Sequence, residues 1–107
     1  MSTLIKTVEG DVNYDLNFTL QDSAGAAVDI TGSTLKLKTQ RIGAAALDID
    51  AAMAIVSGTA GTCKYTVASG QLATAGDYYA EIEVTFAGGK IVTYGDFVVR
   101  VLKQLPR

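Results

Sequence analysis

Asp48 and Asp50 are the pair of side chains best spaced for chemistry in this chain. At positions i and i+2 of a strand they share one face, where two carboxylates could grip a calcium ion. The calcium-loop pattern of alternating oxygen ligands, a Gly and a distal Glu does not surround them. A solvated strand edge accounts for the pair, and no metal is assigned. Cys63 is the single thiol. It alternates with Tyr65 and Val67, which turns it inward as a small buried hydrophobe. Its basic neighbour Lys64 falls on the opposite face, so nothing lowers the thiol pKa.

The 107 residues contain no His and no Trp. Without imidazole, Ser-His-Asp and Cys-His devices are impossible, and a Cys/His zinc cluster has no donors. A paired-carboxylate glycosidase needs two acids across a cleft, for which a small sandwich has little room. None of the eleven glycines stands in a phosphate-cradling spacing followed by Lys and Ser or Thr. No catalytic, metal or cofactor-binding residue is therefore assigned, and the chain reads as a non-enzyme.

Nine Lys+Arg against eleven Asp+Glu give a net charge of −2. That balance lacks the basic footprint a phosphate backbone demands, so no nucleic acid is expected. Hydrophobic residues at 49% with 19% charged argue for a packed core. The first eight residues lack the apolar stretch of a signal peptide, and no run approaches the ~18 apolar residues of a membrane helix. One cysteine without a partner fits folding in a reducing compartment. The length suits one domain, residues 1–107, and no linker or fixed-period repeat divides it.

Strand signals recur along the chain with turn signals between them, the pattern of an all-β sandwich or barrel. A first strand is expected at 4–8. Val12, Tyr14, Leu16, Phe18 and Leu20 alternate with polar residues in a second. Asp22-Ser-Ala-Gly25 is a turn, and in 34–39 Leu35 and Leu37 face in while Lys36 and Lys38 face out. The alanines of 43–50 could start a helix. Leu47 and Ile49 nevertheless alternate with Asp48 and Asp50, and two short strands at 46–50 and 52–56 are preferred. Gly58-Thr-Ala-Gly61 turns into a strand at 63–67, followed by a crossover with a helical turn at 71–74.

The longest alternation runs over residues 75–86, with Tyr78, Ala80, Ile82, Val84 and Phe86 on one face. Gly76-Asp77-Tyr78-Tyr79-Ala80 also carries the pattern of the tyrosine corner found in immunoglobulin-type sandwiches. A two-residue turn at Gly88-Gly89 would pair Phe86 with Ile91, Val84 with Thr93, Ile82 with Gly95, Ala80 with Phe97 and Tyr78 with Val99. A one-residue bulge near Gly95 is disfavoured, because it would turn Asp96 and Arg100 inward and Phe97 outward. That register sets Glu81 opposite Asp96, a like-charge pair. Immunoglobulin-like strand order would bring Lys36 and Lys38 beside Glu81 and Glu83, and Asp15 beside Lys64. The expected fold is an immunoglobulin-like antiparallel β-sandwich of about 7–9 strands. The same register puts Tyr79, Val92, Tyr94 and Val98 on the outer face of the last hairpin. Those four are the candidate partner-contact residues, the competing account being ordinary strand-favouring side chains.

The order of short motifs resembles the N-terminal domain of bacteriophage baseplate upper proteins and related small phage immunoglobulin-like domains. The matching pieces are Gly10-Asp11, Leu16-Asn-Phe-Thr-Leu-Gln-Asp22, Gly25 and Val28-Asp-Ile-Thr-Gly32, then Gly61-Thr-Cys-Lys-Tyr65, Ala75-Gly-Asp-Tyr78 and Gly88-Gly-Lys90. They span about residues 10–101. The alanine-rich segment 43–54 has no counterpart in that pattern, the long extension many relatives carry is not expected after Arg107, and no family functional residue carries across. The resemblance implies a non-enzymatic tail or baseplate structural protein that works by contact. Its partners would be other phage structural proteins or itself, in the virion or in the host cytoplasm during assembly. The alternative is a carbohydrate- or cell-surface-binding β-sandwich module, which typically shows Trp or Tyr platforms and an export signal.

Overall fold

The computed structural model describes residues 3–105, the side chains of Thr3 and Asp96 excepted. Among the described residues eight strands form two sheets: β1 (Thr3–Val8), β2 (Asp15–Thr19), β3 (Thr34–Arg41), β4 (Ile49–Ala52), β5 (Ala54–Ser57), β6 (Thr62–Thr66), β7 (Gly76–Thr85) and β8 (Ile91–Leu102). One sheet runs β1-β8-β7-β3-β4 and the other β2-β6-β5. Neighbours pair antiparallel except β1, which lies parallel to β8. The result is an immunoglobulin-like β-sandwich, with β3 beside β7 and β2 beside β6 as the sequence predicts. At one side the chain passes from β4 to β5 through Met53 alone, whose N–H donates to Leu35 O at 2.9 Å.

Alternation builds the core, since successive side chains leave a strand on opposite faces. In β7, Tyr78, Ala80, Ile82 and Val84 are buried; in β3 it is Leu35, Leu37 and Thr39; in β8, Phe97, Val99 and Val101. Leu16 and Phe18 of β2 and Cys63 of β6 meet them from the smaller sheet. Phe18 and Phe97 touch edge to face across the gap, with ring centroids 5.1 Å apart and planes at 77°. Each fully buried Leu or Ile contributes roughly 1.5–3 kcal/mol of burial. The buried Thr39 hydroxyl accepts from Ile49 N at 3.1 Å, tying β4 to β3 without an orphaned polar group.

Two glycines hold the loop of 20–31 against the β5–β6 turn. Ile30 N–H donates to Gly58 O, and Leu20 N–H donates to Gly61 O. A Cβ at Gly61, which sits at φ +70, would stand 2.7 Å from both Leu20 O and Val28 O. Asp22 Oδ1 accepts from the N–H groups of Ala24 and Ala26, closing the turn with Gly25 at φ +84.

Several local expectations change. The second strand starts at Asp15, because Asn13 takes φ +59 and both Asn13 and Tyr14 bond to Val67. Val12 is consequently exposed. The middle strands lie later than expected. Leu47 sits exposed in a loop before β4, because Asp48 N–H bonds back to Thr39 O only there. No helical turn forms at 71–74. Residues 69–72 make a turn whose end, Leu72, is buried at φ +49 with its N–H on Asp48 Oδ2 at 2.8 Å.

The last hairpin carries the largest change. Phe86 N–H bonds Lys90 O at 2.8 Å and Gly89 N–H bonds Phe86 O at 2.8 Å, so the loop is three residues, Ala87 to Gly89, with Gly89 at φ +93. Three-residue hairpins close in this way, a tight turn followed by a residue in the left-handed region. Thr85 therefore faces Ile91, Val84 faces Val92, and Ile82 faces Tyr94. A bulge then sets Gly95 and Asp96 opposite Glu81, and from there Ala80 meets Phe97 and Tyr78 meets Val99 as expected. The bulge near Gly95 leaves Phe97 buried and Arg100 exposed, because the longer turn has already shifted the register the other way. Ile91, expected inward, is 62% exposed. The expected Glu81–Asp96 charge pair lies outside the described side chains.

Tyr78 closes the corner: its hydroxyl donates to Thr74 O at 2.8 Å while its ring is buried. Tyr78→Phe should keep the ring and lose the bond, lowering stability in urea by about 1 kcal/mol. Asp15 and Asp29 both have their pKa lowered from 3.8, chiefly by hydrogen bonds from Thr66 and Thr31 respectively. A folded-state pKa below the unfolded one gives stability that is present above the unfolded pKa and fades as pH falls through the folded one. The melting temperature should accordingly fall on acidification below about pH 4. In the double variant Asp15→Asn, Asp29→Asn that fall should be shallower, as read by calorimetry across pH.

Candidate functional site

The outer face of the five-stranded sheet is the feature that the core does not use. Its residues fall in rows set by the registers. One row crosses the sheet as Leu4, Val98, Tyr79 and Gln40, each directly opposite the next. Leu47 extends it, lining a depression of about 110 Å³ with Lys38, Gln40, Tyr79 and Glu81. Tyr79 is 59% exposed, Leu47 45% and Leu4 44%, while Val98 is half-buried. An apolar stripe thus runs across strands whose other outward residues are mostly charged or polar.

Local structure holds the stripe in place. Leu47 belongs to the loop between β3 and β4, which Gln40 Nε2 anchors by donating to Ala44 O at 2.7 Å. Asp48 N–H donates to Thr39 O at 2.7 Å just beyond it. Tyr79 is fixed by its neighbours on β7, since Tyr78 and Ala80 on either side are buried. The stripe is therefore presented by rigid strands and one pinned loop.

Charges flank it, and from β4 to β8 they change sign from strand to strand, whereas Lys6 of β1 lies opposite Arg100. β4 carries Asp50, β3 carries Lys36 and Lys38, β7 carries Asp77, Glu81 and Glu83, and β8 carries Arg100. Lys36 Nζ lies 3.0 Å from Asp50 Oδ1 and Lys38 Nζ 3.1 Å from Glu83 Oε2. On the far side of the stripe Arg100 Nε lies 2.9 Å from Asp77 Oδ1. Hydrogen bonding to Glu83 raises the Lys38 pKa, and the bond from Arg100 lowers that of Asp77. Lys38 and Lys36 do neighbour Glu81 and Glu83 as predicted, but Lys36 forms its ion pair with Asp50 across β4. Asp15 and Lys64 pair at 3.6 Å on the smaller sheet, also as predicted. Exposed pairs of this kind contribute little stability, roughly 0–1 kcal/mol each.

Of the four candidate contact residues, Tyr79 and Val98 lie together on this outer face as direct cross-strand partners. Val92 and Tyr94 do not. The bulge reverses their parity, so they pair with the buried Val84 and Ile82 on the core side. Tyr94 packs against the core, and its truncation would cost stability. Leu4 and Leu47, which complete the stripe, were missed. Leu4 was legible as an outward position of β1 once β1 joins β8, whereas Leu47 read as inward.

The remaining candidates for chemistry are dispersed. Asp48 caps Leu72 and Asp50 pairs with Lys36, so the two carboxylates serve different partners. Among the described residues no group of three or more His, Cys, Asp and Glu comes together. Cys63 is buried, and burial pushes its thiol up to about 11. What the outer face offers is apolar contact and charge pairing. Among the described residues no helix is long and apolar enough to cross a membrane.

No curated protein matches the chain. The family model of the BppU N-terminal domain, the N-terminal domain of the baseplate upper protein, matches residues 1–106.

Proposed function

The chain belongs to the BppU N-terminal domain family, and from that premise we propose that it is a non-enzymatic structural protein of a phage tail or baseplate. It acts as an assembly module, joined to other virion proteins by contact rather than chemistry. Membership of a baseplate domain family supports association with other phage structural proteins and a place in the virion.

The observation that carries the contact reading is the stripe of Leu4, Val98, Tyr79 and Leu47. An aromatic side chain on a strand, backed by a packed core and flanked by aliphatic neighbours, is the arrangement of an interface anchor. Tyr is suited to that role because it brings a large contact area with only two side-chain torsions to freeze. Apolar residues scattered singly on a surface need no partner. These four lie in one line across the sheet or beside it. The charges around them form a polar rim of the kind that sets register and partner choice.

The double variant Tyr79→Ser, Val98→Ser should keep the wild-type circular dichroism and melt within a few degrees of it. Particles assembled with the variant should contain far less of this chain than wild-type particles, since one lost anchor weakens binding by about 2 kcal/mol or more. Mass spectrometry of purified particles reads that ratio. Wild-type particles lacking the chain, or equal incorporation of the folded variant, would remove the proposal.

A further inference from the structure

We propose that the outer face of the five-stranded sheet docks on the same face of a second copy of this chain. The two-fold axis runs along the strands between β3 and β7. This rests on the reading of that face as the contact surface, and it names the partner.

The alternation of charge by strand supports the axis. A two-fold rotation about a line parallel to the strands keeps each residue in its row and exchanges strands on either side of the line. With the line between β3 and β7, β3 comes to face β7. The directly paired positions are Lys36 with Glu83 and Lys38 with Glu81. Lys38 therefore meets Glu81 of the partner subunit, and Lys36 meets Glu83 of the partner subunit. The same operation repeats both contacts, giving four attractive approaches. Axes along β3 or along β7 set lysine on lysine or glutamate on glutamate. An axis across the strands lays each strand on itself, with the same like-charge outcome. Opposed like charges cost interface stability, which disfavours those axes. Among axes between strands, the one between β3 and β7 opposes the most charges, four approaches against two for an axis between β3 and β4 or between β7 and β8.

The apolar stripe obeys the same operation. Tyr79 comes over Gln40 of the partner subunit, and Val98 comes over the β4 side, where Leu47 of the partner subunit lies. Val98 thus meets Leu47 of the partner subunit on each flank of the axis, while Tyr79 lies over the amide of Gln40 of the partner subunit and Leu4 stays outside the contact. Lys38 bonds Glu83 within the chain, and among the described residues Glu81 makes no ion pair. Glu81 is thus the acid with most to gain from a second copy. The operation faces β3 with β7 and β4 with β8 and leaves β1 uncovered. Four strands at ~4.8 Å spacing and the eight-residue β3 at ~3.3 Å per residue span about 19 by 26 Å. That is roughly 500 Å² per copy, the low end for a specific interface and the size of a weak dimer contact.

The test is a pair of charge-reversed chains examined by sedimentation velocity. One carries Lys36→Glu with Lys38→Glu, the other Glu81→Lys with Glu83→Lys. The wild type should sediment as a dimer at about 100 μM. Each reversed chain alone should be a monomer, and an equimolar mixture should dimerise, because the reversed β3 of one then faces the reversed β7 of the other. If either chain fails to show wild-type circular dichroism, the single variant Glu81→Lys replaces it. That variant should weaken dimerisation at least about tenfold. A monomeric wild type, reversed chains that stay dimeric, a mixture that stays monomeric or an unchanged Glu81→Lys dimer would each overturn the proposal. If the wild type is monomeric yet particle incorporation still depends on Tyr79 and Val98, the assembly role stands and the second copy is the wrong partner.

Discussion

One extra residue on β8 decides which side chains this sandwich hides and which it shows. Glu81 stands opposite two residues, Gly95 and Asp96, and the three-residue loop at Gly89 is the other half of the same adjustment. Side chains alternate with a period of two, so a slip of one residue exchanges the faces completely. Between the loop and the bulge the slip turns Val92 and Tyr94 toward the core and Ile91 toward water. Beyond the bulge the faces return, with Phe97 and Val99 inside and Val98 and Arg100 outside. Confining the slip to the tip lets β8 pack Tyr94 against the core at one end and lend Val98 to the surface stripe at the other.

The outer face follows from that constraint. β7 lies inside the five-stranded sheet with its inner row fully buried, and this fixes Tyr79, Glu81 and Glu83 on the opposite side. β3 contributes lysines at the facing positions and β4 an aspartate. Ion pairs within the face keep its long side chains ordered rather than adding much stability. An ordered, sign-alternating surface with an apolar line through it suits a protein whose family belongs to a phage baseplate. Such assemblies depend on repeated, geometrically defined contacts, for which rigid strands are better carriers than loops.

Much of this was legible in the sequence because alternation and turn chemistry agree over most of the chain. Leu35, Leu37, Tyr78, Ala80, Ile82 and Val84 each sit at the position their period assigns. The β3–β7 and β2–β6 neighbours followed from the tyrosine corner at Tyr78, whose hydroxyl does reach back to Thr74. The register of the last hairpin was not legible. Gly88 and Gly89 suit a two-residue or a three-residue loop equally, and residues 91–99 are apolar at both parities. Periodicity cannot choose between registers when both present an apolar set. The segment 43–50 failed for a related reason. Leu47 and Ile49 alternate like strand residues, yet the strand begins only where Asp48 and Ile49 can bond Thr39.

Paired cysteines read the slip most directly. In a Cys63→Ala background, Glu83→Cys with Thr93→Cys places two outward thiols directly opposite each other. Glu83→Cys with Tyr94→Cys joins the positions that would be opposite without the slip, now on different faces. Bridging needs Cα atoms within about 4.4–6.8 Å and side chains aimed at each other. Mild oxidation should close the first disulfide in nearly all molecules and leave the second pair as free thiols. Closure of the Glu83→Cys, Tyr94→Cys pair with Glu83→Cys, Thr93→Cys left open would contradict the account, because Val92 and Tyr94 would then belong to the outer face.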